Sequence, residues 1–453
     1  MEASLPNEAK ASANSVRRFV VLLKQRRKEC RLHPSFSAGG KYFHRVEIMV
    51  KGKPAFYTLS DKVHLKKAWE KISKRNRLSK GIDNVTIKTF NNNLEKNLSI
   101  ISAELRRQSY QFTRLRAHAI AKPGSQKPRL LQIASVRDRV VMKALAMLIE
   151  PAFTKFDLPC SHAFIKGRGV HHAIQGVQEL ANAGNKFYFK ADIIEFFAHV
   201  DRETLWKMFA RQVRHRSLLP LLRQCFNLEI EDLSSYEKEF QDLFIGAGSG
   251  IPQGGVLSPM LANFYLYHFD RRMLAQKFNL IRYADDFVVM CDSEQRAREA
   301  YVFARQTLGT LGLKIHELEA PDSKSKIGNF GTEHLIFLGV RFEGQETIPS
   351  DKVIKRFRAK IVEVLQPASG NSLFKTLQRL TNLINGWGKC YKMMRVLPIY
   401  LELDEFIKSS VERYLSYLGI QLTGKNKRKH MKLLGVPSLT AMIEYRKADA
   451  AAS

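Results

Sequence analysis

The chain has 453 residues, with 74 Lys and Arg against 43 Asp and Glu, a formal net charge of +31 and a pI near 10.0. An excess of that size excludes a neutral metabolic enzyme and fits a polyanionic partner, bound in a salt-sensitive way because each phosphate contact releases counterions. A membrane surface is the competing polyanion, but the sequence holds no run of ~18 apolar residues and no signal peptide; 45% hydrophobic residues suit a packed globular protein.

Residues 1–70 begin polar and continue through a basic helical stretch, VRRFVVLLKQRRKECRLH. They then read as a strand pair around YFHRVEIMV and KPAFYTLS, split by Lys51-Gly52-Lys53-Pro54. This piece is expected either to bind a specific RNA or to cover the neighbouring part of the chain. Residues 71–190 read as helices and strands, closing on the apolar strand Phe187-Tyr188-Phe189, at whose end Asp192 falls. The stretch Ser249–Pro259, SGIPQGGVLSP, is a Gly/Pro-rich loop that opens an apolar helix, MLANFYLYHFD. Glycines let backbone amides approach a ligand closely, and a helix N-terminus favours an anion; in isolation the same string is an ordinary loop before a core helix. In NLIRYADDFVVMC two short apolar runs flank Tyr283-Ala284-Asp285-Asp286, which predicts two strands joined by a tight polar turn. Residues 350–420 read as amphipathic helices, as in KVIKRFRAKIVEVL and FKTLQRLTNLINGW, and the tail GKNKRKHMKLLGVPSLTAMIEYRKA as basic and helical in part.

Cys30, Cys160, Cys225, Cys291 and Cys390 form an odd set without a Cys-x-x-Cys pair. That pattern argues for a reducing cytoplasm and against structural zinc. His171-His172 reads as a helix-surface pair rather than as metal ligands.

Two adjacent carboxylates at a hairpin tip are costly unless a cation neutralises them. A pair of Mg²⁺ ions is the natural candidate, because hard cations take oxygen ligands. Asp285 and Asp286 cannot hold two metals alone, and the best candidate for the partner carboxylate is Asp192, where the Phe187-Tyr188-Phe189 strand ends. In such a site one ion activates an attacking 3′-hydroxyl and the other steadies the leaving pyrophosphate, so that catalysis is mostly positioning and charge neutralisation. Taken singly, Asp-Asp also suits an ordinary turn and Asp192 a capping position.

The order Asp192, then IPQGGVLSP, then YADD resembles the palm of a reverse transcriptase, most closely the bacterial group II intron type, and the resemblance covers most of the chain. GIDNVTIKTF resembles that family's N-terminal extension block, AKPGSQKPRLLQIASVRDRVV its fingers, and SHAFIKGRGVHHAI the block before the first catalytic Asp. IFLGVRF resembles the primer-grip hairpin, and INGWGKCY and DEFIKSSVERYL the thumb. The implied fold is α+β, a right-hand polymerase. It comprises an N-terminal extension (1–70), fingers (71–190), a palm with an antiparallel sheet backed by helices (191–345), an α-helical thumb (346–420) and a basic C-terminal tail (421–453).

The resemblance also implies residue roles. Asp192, Asp285 and Asp286 match the catalytic metal ligands, with the Ile193 carbonyl as an extra ligand. Phe197 matches the steric gate that excludes a 2′-hydroxyl, the alternative being a plain core aromatic, which suits Phe196 better. Gln253 matches the residue that packs against the incoming nucleotide. Lys122 and Arg129, seven apart on two facing strands, match the fingers' triphosphate contacts, the alternative being a solvated basic face. Lys324 matches the lysine that protonates leaving pyrophosphate, with Lys326 as the neighbouring alternative. Phe337, Leu338 and Gly339 match the primer grip, and Arg168 a template or nucleotide contact. The implied partners are an RNA template, in particular a structured noncoding RNA, dNTPs and the cDNA product, in a bacterial cytoplasm and without a membrane.

Two stretches depart from the intron pattern. Arg129-Leu130-Leu131-Gln132-Ile133-Ala134 stands where the family carries Arg-Pro-Leu-Gly-Ile-Pro, and His162-Ala163-Phe164-Ile165-Lys166 where it reads like Tyr-Gly-Phe-Arg-Pro. No endonuclease or RNase H signature comes after the thumb. The expectation is therefore a stand-alone enzyme of the defence-associated kind, copying a noncoding RNA in antiphage defence. The alternative is an intron maturase lacking the endonuclease.

Overall fold

The computed structural model describes residues 55–74, 79–121, 128–213, 216–246, 248–318, 320–321, 323–343, 346–366, 372–391, 393–394, 396–421 and 427–443. The stretches VRRFVVLLKQRRKECRLH and YFHRVEIMV lie outside them. The first element, Ala55–Ser60 (α1), is a helix and not the second strand expected there. Ala55 and Leu59 stand one helical turn apart and are both buried, and that face decides the conformation. The aromatics and threonine in AFYTLS imitate a strand only when their packing is ignored.

Helix α2 (Lys62–Ser73) starts at Asp61, whose carboxylate accepts the Val63 N–H at 3.0 Å. It buries Leu65, Ala68 and Trp69, and the Trp69 ring lies 5.0 Å from that of Phe90. Helix α3 (Leu94–Arg106) buries Leu98, Ile101 and Leu105 at matching spacing. Strands β1 (Arg116–Ile120) and β2 (Arg129–Ile133) pair antiparallel, Arg116 opposite Ile133 and Ile120 opposite Arg129. Helix α4 (Val136–Phe153) is capped by Ser135, and it packs against α1, α2 and α3.

A four-stranded sheet has the order β4-β5-β3-β6, formed by β3 (Phe187–Asp192), β4 (Asn279–Tyr283), β5 (Asp286–Cys291) and β6 (Lys326–Asn329). Between β3 and β4 runs helix α5 (Ser258–Ala275), which buries Leu261, Phe264, Tyr265, Phe269 and Met273. The Phe269 ring sits 5.2 Å from that of Phe287, so α5 backs the start of β5. A second, three-stranded sheet comes next, β7 (Leu335–Phe337), β8 (Val340–Glu343) and β9 (Glu346–Pro349), antiparallel throughout. The combination of helices with separate sheets is the α+β class expected from the sequence.

The described residues fall into two compact units. One holds the residues up to Gly167 with Lys190–Phe287 and Glu299–Ser325; the other holds Arg168–Phe189, Val288–Arg298 and those from Lys326 onward. In the second unit helices α6 (Asp351–Val364), α7 (Leu373–Tyr391) and α8 (Leu397–Tyr417) share a core built on Phe357, Ile361, Leu380, Ile384, Leu403 and Ile407. Trp387 stacks on Phe357 at 4.6 Å. Met431, Val436 and Leu439 join the same core, and Asp404 accepts the Leu439 N–H at 2.7 Å, so the basic tail region is tied to these three helices. Among the described residues no helix is long and apolar enough to cross a membrane.

Candidate active site

Strand β3 buries Tyr188, Phe189 and Ala191 and ends on Asp192, which is half-buried. The turn between β4 and β5 consists of Ala284 and Asp285, and Ala284 takes a left-handed φ of 59°. A main-chain bond joins the two pieces: the Ile193 N–H donates to the Asp285 carbonyl at 3.1 Å. On its other side the β3 end is held by the Ile194 N–H, which donates to Lys314 O at 2.9 Å. The backbone therefore sets the spacing of Asp192 from the Asp285-Asp286 pair.

Burial pushes the Asp286 carboxyl up to about 7; the neighbouring charges of Asp192 and Asp285 add to this, and Lys190 and Lys324 oppose it. Its Oδ1 is buried without a hydrogen-bond partner, and the Lys190 ammonium stands 4.0 Å away. Lys324 Nζ donates to Asp192 Oδ2 at 2.5 Å. Burial works to lower the Lys324 amine, but the bond to Asp192 and the charges of all three aspartates hold it above its ordinary value. Lys326 instead pairs with Glu333, so of the two lysines Lys324 is the one that reaches Asp192.

Among the described residues, no three His, Cys, Asp or Glu side chains converge tightly enough to enclose a metal ion. The three aspartates are electrostatic neighbours rather than a closed cage, since their charges repel and Lys324 occupies one oxygen of Asp192. The donors nonetheless fit a hard divalent cation: they are carboxylate oxygens, and Asp286 Oδ1 is buried with its lone pairs unused.

The Gly/Pro loop lies against Phe197. The Ile251 N–H donates to Phe197 O at 2.9 Å, and a Cβ on Gly250 would run into the carbonyls of Phe197 and Ala198, so only glycine fits. Phe196 is buried and Phe197 half-buried, the division expected if Phe197 faces a site and Phe196 the core. The loop is tied to β2 as well, through the Gln132 N–H and the Gln253 carbonyl at 3.0 Å. Arg129 is exposed at the start of β2, opposite Ile120, while Lys122 lies outside the described residues.

Arg168 precedes the helix Val170–Asn182 in the other unit, where His171 and His172 also sit, their rings in contact at 3.7 Å. In that unit Leu338 (φ 52°) and Gly339 (φ 80°) form the two-residue turn between β7 and β8, and Phe337 is buried. Both positive φ values suit the tight hairpin that the primer-grip resemblance implies.

Sequence reasoning missed several groups beside these. Lys190 was findable, since it lies two residues before Asp192 on the same strand face. A cavity of about 410 Å³ lies beside the β1–β2 hairpin, lined among others by Arg116, His118, Leu131, Arg139 and Gly254. The Nε atoms of Arg116 and Arg139 are buried there without a hydrogen-bond partner, although Arg139 also donates to Ser79 Oγ at 3.2 Å and Ser79 O at 3.1 Å. Burial lowers the Arg139 guanidinium below its usual value; Asp83 opposes the shift and the Arg116 charge adds to it. No sequence signal marked these arginines among so many basic residues.

Residues 120–342 match the family model for reverse transcriptase (RNA-dependent DNA polymerase). This segment has a reverse transcriptase fold. It contains Asp192, Phe197, Gln253, Asp285, Asp286 and Lys324. Protein YkfC of Escherichia coli (strain K12) is 30% identical over 204 residues, which are 44% of this chain and 51% of that protein. The group II intron-encoded protein LtrA of Lactococcus lactis subsp. cremoris is 25% identical over 255 residues, 56% of this chain and 39% of that protein. The chain thus spans about half the length, or less, of these curated relatives. A solved structure, the partial Cas6-RT-Cas1–Cas2 complex, is similar over 62% of this chain and 44% of that one, at 22% identity and a TM-score of 0.35.

Proposed function

We propose that the protein is an RNA-directed DNA polymerase that adds dNTPs to a 3′-hydroxyl. The observation that carries the reading is the backbone-tied trio Asp192, Asp285 and Asp286 inside the segment that matches the reverse transcriptase family. Asp192, Asp285, Asp286 and the Ile193 carbonyl would hold two Mg²⁺ ions. Bound there, the ions would supply charge neutralisation at the attacking and leaving oxygens. The remaining work belongs to the chain's own residues. Asp286, half-buried and with its Oδ1 short of a hydrogen-bond partner, would offer that oxygen to a cation. Lys324, paired with Asp192 and held protonated by the three aspartate charges, would have a proton to give to the departing pyrophosphate. Phe197 closes the space a 2′-hydroxyl would need. Gln253 packs on the incoming nucleotide, and Arg129 with Lys122 meets its triphosphate through charge-assisted bonds. Phe337, Leu338 and Gly339 grip the primer, and Arg168 touches template or nucleotide.

The net charge of +31 supports an RNA template as partner. We assign that template to a dedicated structured noncoding RNA, copied in the cytoplasm of a bacterium as part of antiphage defence. What supports this is the departure from the intron pattern at Arg129–Ala134 and His162–Lys166. The second reading, an intron maturase without an endonuclease, is favoured by the similarity to a group II intron-encoded protein. Sequencing the RNA and cDNA that copurify from cells tests both, with wild type beside the Asp285→Asn/Asp286→Asn double variant. One dominant small RNA, with matching cDNA in wild type alone, is expected. Intron RNA would favour the maturase, and full cDNA synthesis by the double variant would overturn the polymerase mechanism.

A further inference from the structure

Arg282 precedes the catalytic turn by two residues, in a strand whose other residues are apolar or aromatic apart from Asn279, and it is completely buried. Each of its five N–H groups has an acceptor. Nε donates to Asp270 Oδ1 at 2.6 Å, and Nη2 to Asp270 Oδ2 at 2.5 Å and Ser161 Oγ at 2.9 Å. Nη1 donates to Asn263 Oδ1 at 3.2 Å and to the main-chain carbonyl of Ala284 at 2.9 Å. Asp270 and Asn263 stand on α5, and Ser161 is bridged to Arg282 through the main chain, the Arg282 N–H donating to Cys160 O at 2.7 Å.

A buried ion pair of this kind is poor evidence for stability, because desolvation offsets most of the attraction and well-packed apolar residues often do as well. The fork also does more than satisfy Asp270. One of its donors holds the carbonyl of a non-glycine residue in the left-handed region, a conformation that persists only when its surroundings impose it. The next carbonyl, that of Asp285, is held by the Ile193 N–H. The peptide planes on both sides of Asp285 are therefore pinned, one by the Arg282 side chain and one by the end of β3. Two fixed peptide planes fix φ and ψ of the residue between them, and with them the direction of its Cα–Cβ bond.

We propose that Arg282 is a positioning residue for the catalytic hairpin: clamped by Asp270, Asn263 and Ser161, it holds the Ala284 carbonyl and thereby aims the Asp285 carboxylate at the site shared with Asp192 and Asp286. This rests on the polymerase reading of that site. It also separates the parts of the fork, since the contacts to Asp270, Asn263 and Ser161 anchor the guanidinium and the contact to Ala284 transmits its position.

The test compares Arg282→Lys with Ser161→Ala. Lysine keeps a positive charge beside Asp270 but has a single nitrogen, which cannot serve both the carboxylate and the turn. Ser161→Ala removes one anchoring bond and leaves the bond to Ala284. Primer extension on a simple RNA template should show kcat down at least about tenfold in Arg282→Lys, with KM for dNTP nearly unchanged. Calorimetric titration with Mn²⁺ should show weakened binding in the same variant. Ser161→Ala, which leaves the Asp270 and Asn263 anchors and the bond to Ala284 in place, should lose thermal stability and fall clearly less than Arg282→Lys in kcat and Mn²⁺ affinity. Should Arg282→Lys not fold, the double variant Arg282→Gln/Asp270→Asn withdraws both charges together and is expected to give the same two losses.

A variant that folds, keeps wild-type kcat and Mn²⁺ affinity and loses only stability overturns the proposal. So does a Ser161→Ala protein that falls as far as Arg282→Lys, or a wild type that binds no Mn²⁺. A wild type that extends no primer fails the polymerase reading instead, and the Mn²⁺ comparison then decides the role of Arg282.

Discussion

Replacing Asp286 by Asn should stabilise the metal-free protein, by an amount that depends on pH. The carboxyl sits at about 7 against an ordinary value of 3.8, with burial the main cause. A shift of about three units corresponds to roughly 4 kcal/mol at about 1.4 kcal/mol per unit. For an acid whose folded pKa is raised, the folded state prefers the protonated form. Below about pH 4 both folded and unfolded chains carry the proton, and the group costs nothing. Between about 4 and 7 the unfolded chain ionises first and the penalty grows; above about 7 it is complete. Asparagine carries no such charge. Melting temperatures in EDTA should therefore coincide for wild type and Asp286→Asn below about pH 4 and diverge by several degrees toward pH 8, with the variant higher. Excess Mg²⁺ should raise the wild type more than the variant, and more at pH 8 than at pH 6, where protons compete for the same oxygen. A variant that is no more stable than wild type in EDTA at pH 8, or whose difference is flat with pH, would refute the reasoning.

Phe197→Ala should admit ribonucleotides, seen as a rise of at least about tenfold in the ratio of rNTP to dNTP kcat/KM; unchanged sugar selectivity would remove Phe197 from the gate. Gly250→Ala should be poorly tolerated, because its Cβ meets the carbonyls of Phe197 and Ala198 and backbone must move. We expect a stability loss of about 2 kcal/mol or more together with reduced nucleotide affinity, measured by denaturant unfolding and by KM for dNTP. Unaltered values would mean that the loop is not seated on the Phe197 backbone.

Much of the site was legible because its signals are local. Asp-Asp between two apolar runs predicts a tight turn at Tyr283–Asp286, and β4 and β5 flank one that narrows to Ala284-Asp285. Asp192 falls at the end of β3, as the string of residue types implied, and the helix expected from Met260 is present but already begins at Ser258, with Pro259 in its first turn. The choice between Lys324 and Lys326 could not be made from two lysines two residues apart, and needed the strand that directs Lys326 to Glu333. The Ala55–Ser60 segment has strand-like residues that are overruled by packing against three helices, so its residue types point the wrong way. Arg282 is inconspicuous inside an apolar run, since its acceptors come from residues 12, 19 and 121 positions away. Its role depends on what the fold brings beside it.

The bond from the Ile193 amide to the Asp285 carbonyl uses no side chain from either residue. The gap between the first acidic residue and the acidic pair is thus a ruler written in peptide units. Replacing a neighbouring side chain can change what the rim of the site looks like, but it leaves the graduations of that ruler unchanged. Adding or deleting one residue on either side shifts every mark. In laboratory evolution the walls of this site should therefore be open to redesign by substitution, while changes of length near residue 193 or residue 285 should be closed.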